Sequence, residues 1–327
     1  MTIESADRQK TVFGAIVDAE TLLEQVDFFR IDANRKLDQA HRANLGQFFT
    51  PPPVARLMAS MFSERLQTIN ILDAWAGVGS LSAALVAEIC HWKCKPKLIT
   101  VTAYEIESLL INHLQTTFNE CSSVCEQVGI EFKGEIFQED FIAAGVAMVN
   151  VGLVPGKRRR FNCIIMNPPY GKIGSKSKER QLLRLIDIET GNLYTAFLWP
   201  SLKLLELNGE VVAITPRSFC NGPYFRPFRQ ALSKMMSLRR IHIFDSRKKA
   251  FQEDDVLQEN VIIHAAKSLD RSKKVMISTS VGTDDDFITI REVDHDQLVQ
   301  TDDSDAVVHI VPDEMAHKIK LRAATPT

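Results

Sequence analysis

The apolar run from Phe161 to Met166 stops at Asn167-Pro168-Pro169-Tyr170, and that junction constrains the fold more than any other feature of the chain. Proline has no N–H to give a ladder, and it holds the residue before it in extended geometry. Two in succession end the strand, leaving a stiff hook with one carboxamide and one aromatic ring. In open α/β sheets the carboxyl ends of strands are where ligands bind.

The flanking sequence supplies a sheet for that strand. Further strands are expected at Ile69 to Leu72, Leu98 to Tyr104, Lys133 to Phe137, Glu210 to Thr215, Arg240 to Phe244 and Asn260 to Ala265, with helical periodicity between the first several. This alternation predicts a doubly wound, mostly parallel, seven-stranded α/β sheet. The link from Asp245 to Glu259 is too polar for a packed crossover helix, so the last two strands are expected to run antiparallel.

Phe13, Ile16, Val17, Val26 and Phe29 mark a helical preface over residues 1–44, broken near Asn44-Leu45-Gly46. Thr50, ahead of Pro51, Pro52 and Pro53, is the expected cap of a helix whose apolar stripe is Val54, Leu57, Met58 and Met61. The sheet domain is assigned to residues 45–270 and a carboxyl-terminal extension to 271–327.

A chain of 327 residues with 45% hydrophobic content can bury one large core or two modest ones. No apolar run approaches the ~20 residues of a membrane span, and Met1 to Lys10 has no signal-peptide pattern. A cytoplasmic protein with no membrane partner is expected. The formal net charge is −2, so any nucleic-acid surface must be local. Cys90 with Cys94 and Cys121 with Cys125 are spaced more widely than common zinc pairs and fall in helical stretches, so thiols and no metal are expected.

The tetrapeptide suits a planar nitrogen. An aromatic amine or amide is a poor nucleophile because its lone pair is delocalised, and alkylating it requires acceptors that bind its hydrogens and re-aim that pair. The Asn167 oxygen and the Pro168 carbonyl are neutral acceptors with no charge to desolvate, and both can be preorganised for the positive charge developing on nitrogen. Tyr170 adds a stacking face.

The first strand runs into Asp73-Ala74-Trp75-Ala76-Gly77-Val78-Gly79-Ser80, then an apolar helix. Gly77 and Gly79 allow close backbone approach to a ligand. Ser82 stands where a dinucleotide fingerprint has its third glycine, which disfavours pyrophosphate. At the next strand ends Glu105 can accept from ribose hydroxyls and Asp140 from an adenine amino group, with Ile106 and Phe141 placed to sandwich the purine.

Over residues 45–266 the chain resembles the adenine-specific DNA methyltransferases of bacterial restriction–modification systems, in the class that carries its cofactor-methionine segment first. Gln47-Phe48-Phe49-Thr50-Pro51 is similar to that segment, Asp73 to Gly79 to the cofactor loop, and Asn167 to Tyr170 to the catalytic tetrapeptide. Asn192 to Phe197 resembles the helix that follows, and Gly209 to Ser218 the next strand and its end. The resemblance implies a Rossmann-like fold and S-adenosylmethionine as cofactor, held by Phe49, Thr50, Asp73, Gly77, Gly79, Glu105, Ile106, Asp140, Phe141 and Asn167. It further implies base flipping in double-stranded DNA, with Asn167, Pro168, Pro169, Tyr170 and Phe251 around the target base. Lys172, Lys176, Lys178 and Arg247 are the expected phosphate contacts, with Lys157 to Arg160 and Arg180 nearby.

Two features depart from the family. Ala74-Trp75-Ala76 replaces the usual Pro-Ala-Cys, and the stretch after Lys267 is shorter than a typical recognition domain. A fused or separate recognition subunit or nuclease is the implied partner. Methylation of protein glutamine or of RNA adenine, and a DNA-binding scaffold with a vestigial cofactor site, are the alternative readings.

Overall fold

A computed structural model describes residues 18–38, 49–64, 67–151, 159–244, 260–268, 270, 272–280, 287–299, 305–309 and 317–320. Ten strands form one sheet: β1 (Thr68–Asp73), β2 (Leu98–Tyr104), β3 (Glu131–Phe137), β4 (Phe161–Met166), β5 (Leu205–Pro216), β6 (Ser237–Phe244), β7 (Asn260–Ala266), β8 (Lys274–Ser280), β9 (Phe287–Asp294) and β10 (His317–Lys320). Their order is β10-β9-β8-β6-β7-β5-β4-β1-β2-β3.

Strand order reverses between β1 and β4, which lie side by side and parallel. This switch point brings the carboxyl ends of both strands, Asp73 and Met166-Asn167, to one edge of the sheet. The Asn162 side chain reinforces the seam, accepting from the Asn70 N–H at 2.8 Å and donating to the Thr68 carbonyl at 3.0 Å.

Alternation along the strands divides the core into two layers. Ile71 packs with Leu22, Val54, Leu81 and Leu110 from the helices Ala19–Lys36, Pro52–Ala59, Ser80–His91 and Ser108–Gln127. Its neighbour Leu72 faces the opposite layer, with Phe141, Phe197 and Phe228 from Phe141–Val151, Leu193–Leu204 and Arg226–Met235.

The seven expected strands are present, and β7 runs antiparallel to both β6 and β5. The sheet is nonetheless wider than expected. β8 joins β6 in parallel, and β9 and β10 follow antiparallel, so strands after residue 270 continue the same sheet. Their Ser, Thr and charged positions dilute the apolar pattern that marks the inner strands.

Thr50 does not cap the following helix. Pro51 occupies the cap position without a side-chain bond, because Pro52 and Pro53 have no N–H groups for Thr50 to satisfy. In the preface, Val26 is buried and Phe29 packs against the core. Phe13, Ile16, Val17 and the Asn44 to Gly46 break lie outside the described residues. Cys90 and Cys125 meet in the core with their sulfurs 3.9 Å apart, while Cys94 is exposed. Among the described residues no group of His, Cys, Asp and Glu is placed to hold a metal, and no helix is long and apolar enough to cross a membrane.

Candidate active site

The loop after β1 is shaped by its two glycines. Gly77 and Gly79 have φ of 59° and 88°, in the left-handed region that favours glycine. A Cβ at Gly77 would sit 3.3 Å from the Phe49 ring, and one at Gly79 would sit 2.9 Å from Leu114. Asp73, fully buried at the strand end, accepts a 2.7 Å hydrogen bond from the Ser82 hydroxyl through Oδ2. Its Oδ1 has no partner of good geometry. Burial pushes its pKa from 3.8 up to about 7.

Glu105, also fully buried, locks the loop to the end of β2. Its Oε2 accepts from the Gly77 N–H, and its Oε1 accepts from the N–H groups of Ile106 and Glu107, all at 2.8 Å. Burial outweighs these bonds and raises its pKa to about 7. A carboxylate has roughly four acceptor positions, so about one remains for a ribose hydroxyl, fewer than expected. Asp140 is exposed but takes the Ile142 N–H at 3.0 Å. Ile106 is 36% exposed, whereas Phe141 is 1% exposed, packed between Tyr104 and Phe197. Only one of the two expected purine faces is open.

The tetrapeptide meets this loop across the switch point. Asn167 Nδ2 donates to Thr50 Oγ1 at 3.2 Å, which fixes the carboxamide, and the Tyr170 hydroxyl donates to Asn167 Oδ1 at 3.2 Å. Asn167, Pro168 and Pro169 are buried. A cavity lined by Phe49, Thr50, Trp75, Ala76, Gly77, Ser80, Leu81 and Asn167 joins three segments distant in sequence. Burial also raises the Tyr170 pKa, keeping its hydroxyl a proton donor.

Lys172, Lys176 and Lys178 are exposed just beyond the tetrapeptide. Arg180 is not free for phosphate, since it pairs with Glu189. Arg159 pairs with Glu135 and Arg160 donates to the Lys203 carbonyl, so this half of the expected basic run is engaged within the protein. Lys157, Arg158, Arg247 and Phe251 lie outside the described residues.

Residues 80–251, more than half of the chain, match the Eco57I restriction-modification methylase family. The chain belongs to that family. It is 40% identical over 298 residues to the type II methyltransferase M.PstI of Providencia stuartii, covering 91% of this chain and 58% of that one. It is 40% identical over 294 residues to M.BsuBI of Bacillus subtilis, covering 88% and 56%. The chain thus spans a little over half the length of these relatives. Its fold matches a modification subunit of a putative type I restriction enzyme from Vibrio vulnificus, with TM-score 0.63, 14% identity, and coverage of 91% of this chain and 64% of that one. It also matches a putative class I S-adenosylmethionine-dependent methyltransferase from Listeria monocytogenes, with TM-score 0.60, 12% identity, and coverage of 82% and 75%.

In this Eco57I-type methylase chain, sequence reasoning missed Ser82 as the partner of Asp73, while Trp75, where the chain departs from the family, forms part of the cavity wall. The Trp75 indole packs edge-on against Phe197 at 5.3 Å, and among the described residues its N–H has no acceptor. Ser82 carried a signal, because a hydroxyl nine residues after a buried strand-end acid can reach back across one helical turn.

Proposed function

We propose that this chain is the catalytic part of an S-adenosylmethionine-dependent methyltransferase acting on the exocyclic amino group of adenine in DNA. The observation that carries this is the cavity joining Gly77, Phe49 and Asn167. The residues present fit the cofactor: Gly77 offers backbone without a side chain, Phe49 covers the loop, Glu105 keeps an acceptor position, and Asp140 is accessible. When bound, the cofactor supplies an activated methyl group.

The chain's own residues supply positioning. The Thr50 hydroxyl takes the Asn167 Nδ2–H, so Oδ1 is oriented as an acceptor. A target amine donates one hydrogen to that oxygen and the other to the Pro168 carbonyl, turning its lone pair toward the methyl group. Both acceptors are neutral and stabilise the charge that develops on nitrogen. A base inside a duplex cannot reach this pocket and must flip out, where Tyr170 and Phe251 provide stacking faces. Lys172, Lys176 and Lys178 hold the neighbouring phosphates.

The test uses the protein encoded by the complete natural open reading frame, with tritium-labelled cofactor offered to DNA, RNA and peptide pools. Label recovered as N6-methyladenine from DNA supports the reading. Label confined to N4-methylcytosine, RNA or peptide refutes it.

A further inference from the structure

Asn260 opens β7 at the edge of the sheet where β5 ends, paired with Pro216. It is 4% exposed, and among the described residues neither its Nδ2 nor its Oδ1 has a hydrogen-bond partner. Buried polar atoms are nearly always paired, because each gives up its bonds to water on folding. Here both ends of one carboxamide have been desolvated and neither is satisfied.

Its position explains what such a group can do. Ile262, two residues on, pairs with Ile214, and both belong to the core layer that contains Phe49. Strand alternation therefore puts Asn260 on the sheet face of Phe49 and Thr50, and Thr50 holds Asn167. β5 lies between β4 and β7, so the two asparagines are two strands apart, ~10 Å across the sheet. Met166 pairs with Ala213, which makes Asn167 level with Ile214, while Asn260 is level with Pro216. That offset adds ~7 Å along the strands. The resulting ~12 Å between backbones accommodates a purine with a hydrogen bond at either end. The connection leading into Asn260 also carries Phe251.

We infer that Asn260 reads the extruded base, its Nδ2–H donating to a ring nitrogen of adenine while Asn167 holds the exocyclic amine. This rests on the proposed DNA-adenine activity. The ring nitrogens of adenine are acceptors, and a carboxamide meets one with a neutral donor that brings no charge into the site.

The experiment uses the full natural protein and the near-isosteric Asn260→Leu variant. Removing an orphaned amide leaves Tm equal or raises it. The same change lowers kcat/KM on a duplex substrate by ~5- to 100-fold, mainly through KM, the factor associated with one unmade hydrogen bond. Cofactor affinity by calorimetry is unchanged. Duplexes whose target is 1-deaza-, 3-deaza- or 7-deazaadenine locate the contact: one of the three lowers the wild-type rate by the same factor and is indifferent to Asn260→Leu. A variant with wild-type kcat/KM overturns the inference, as does a Tm several degrees lower, which would give the amide a structural role. Wild-type protein that labels no adenine in DNA instead overturns the proposed function and this inference with it.

Discussion

Replacing Glu105 with Gln should make the protein's stability and its cofactor affinity respond to pH in ways that wild type does not. Burial raises the Glu105 pKa from 4.5 to about 7, so between those values the native state holds a proton that the unfolded chain releases. Stability contributed by this group is present below about 4.5 and is lost as pH rises through about 7, at ~1.4 kcal/mol per pH unit. Asp73, raised to about 7, acts in the same direction and is electrostatically linked to Glu105, so the two titrate jointly. His242 opposes them, since burial lowers its pKa to about 3 and stability then rises with pH up to its ordinary 6.5. The absolute curve therefore mixes signs, and the difference between wild type and Glu105→Gln isolates one group.

Between pH 5 and pH 7 the Gln variant should gain ~2–3 kcal/mol relative to wild type. A pH-independent offset of ~1–3 kcal/mol against it is also expected, because the Gln amide would present a donor to the Gly77 N–H that Glu105 now accepts. Cofactor binding should show the reverse slope in wild type. Protonation occupies the last acceptor position of Glu105, so affinity falls ~10-fold for each pH unit below 7, while the Gln variant binds weakly and evenly across the range. Urea unfolding and titration calorimetry at pH 5, 6, 7 and 8 measure both. Parallel stability curves for the two proteins, or a variant that keeps the wild-type pH dependence of binding, would refute the account of Glu105 as a buried, loop-locking carboxyl.

Asn167→Ala should lower methyl transfer by ~100-fold or more with cofactor affinity nearly intact, as expected for losing one preorganised acceptor; single-turnover rates beside calorimetry test this. Thr50→Val removes the bond that aims the Asn167 carboxamide and should lower kcat by ~10-fold, since a hydrogen bond of ~1–1.5 kcal/mol is lost; single-turnover rates at saturating cofactor read this. Ser82→Ala strips the hydroxyl from buried Asp73 and should destabilise by ~1–3 kcal/mol, more at pH 8 than at pH 5.5 because the charged form then lacks its donor, a difference that urea titration at the two pH values resolves. Gly79→Ala meets both a φ of 88° and a 2.9 Å approach to Leu114, and should cost ~1–3 kcal/mol, read as a lower Tm.

The sequence by itself determined where the catalytic strand stops and where the loop after the first strand turns. Phe161–Met166 ends at two prolines because proline lacks an N–H, and Gly77 and Gly79 stand where the backbone takes positive φ. Apolar periodicity placed the helices between the inner strands. These are local effects, legible from a few adjacent residues. Tertiary structure decided which groups those elements would meet. Thr50 reads as a helix cap from its neighbours, yet its hydroxyl is taken by a carboxamide 117 positions away. Glu105 reads as an open acceptor, yet it arrives with most of its lone pairs engaged by backbone. Phe141 reads as a purine face and is sealed in the core, and β8 to β10 widen the sheet beyond the strands with a strong apolar signal. A hydrogen-bonding side chain carries no mark of its eventual partner. Only the reversal of strand order between β1 and β4, which brings the carboxyl ends of these two strands together, makes those choices definite.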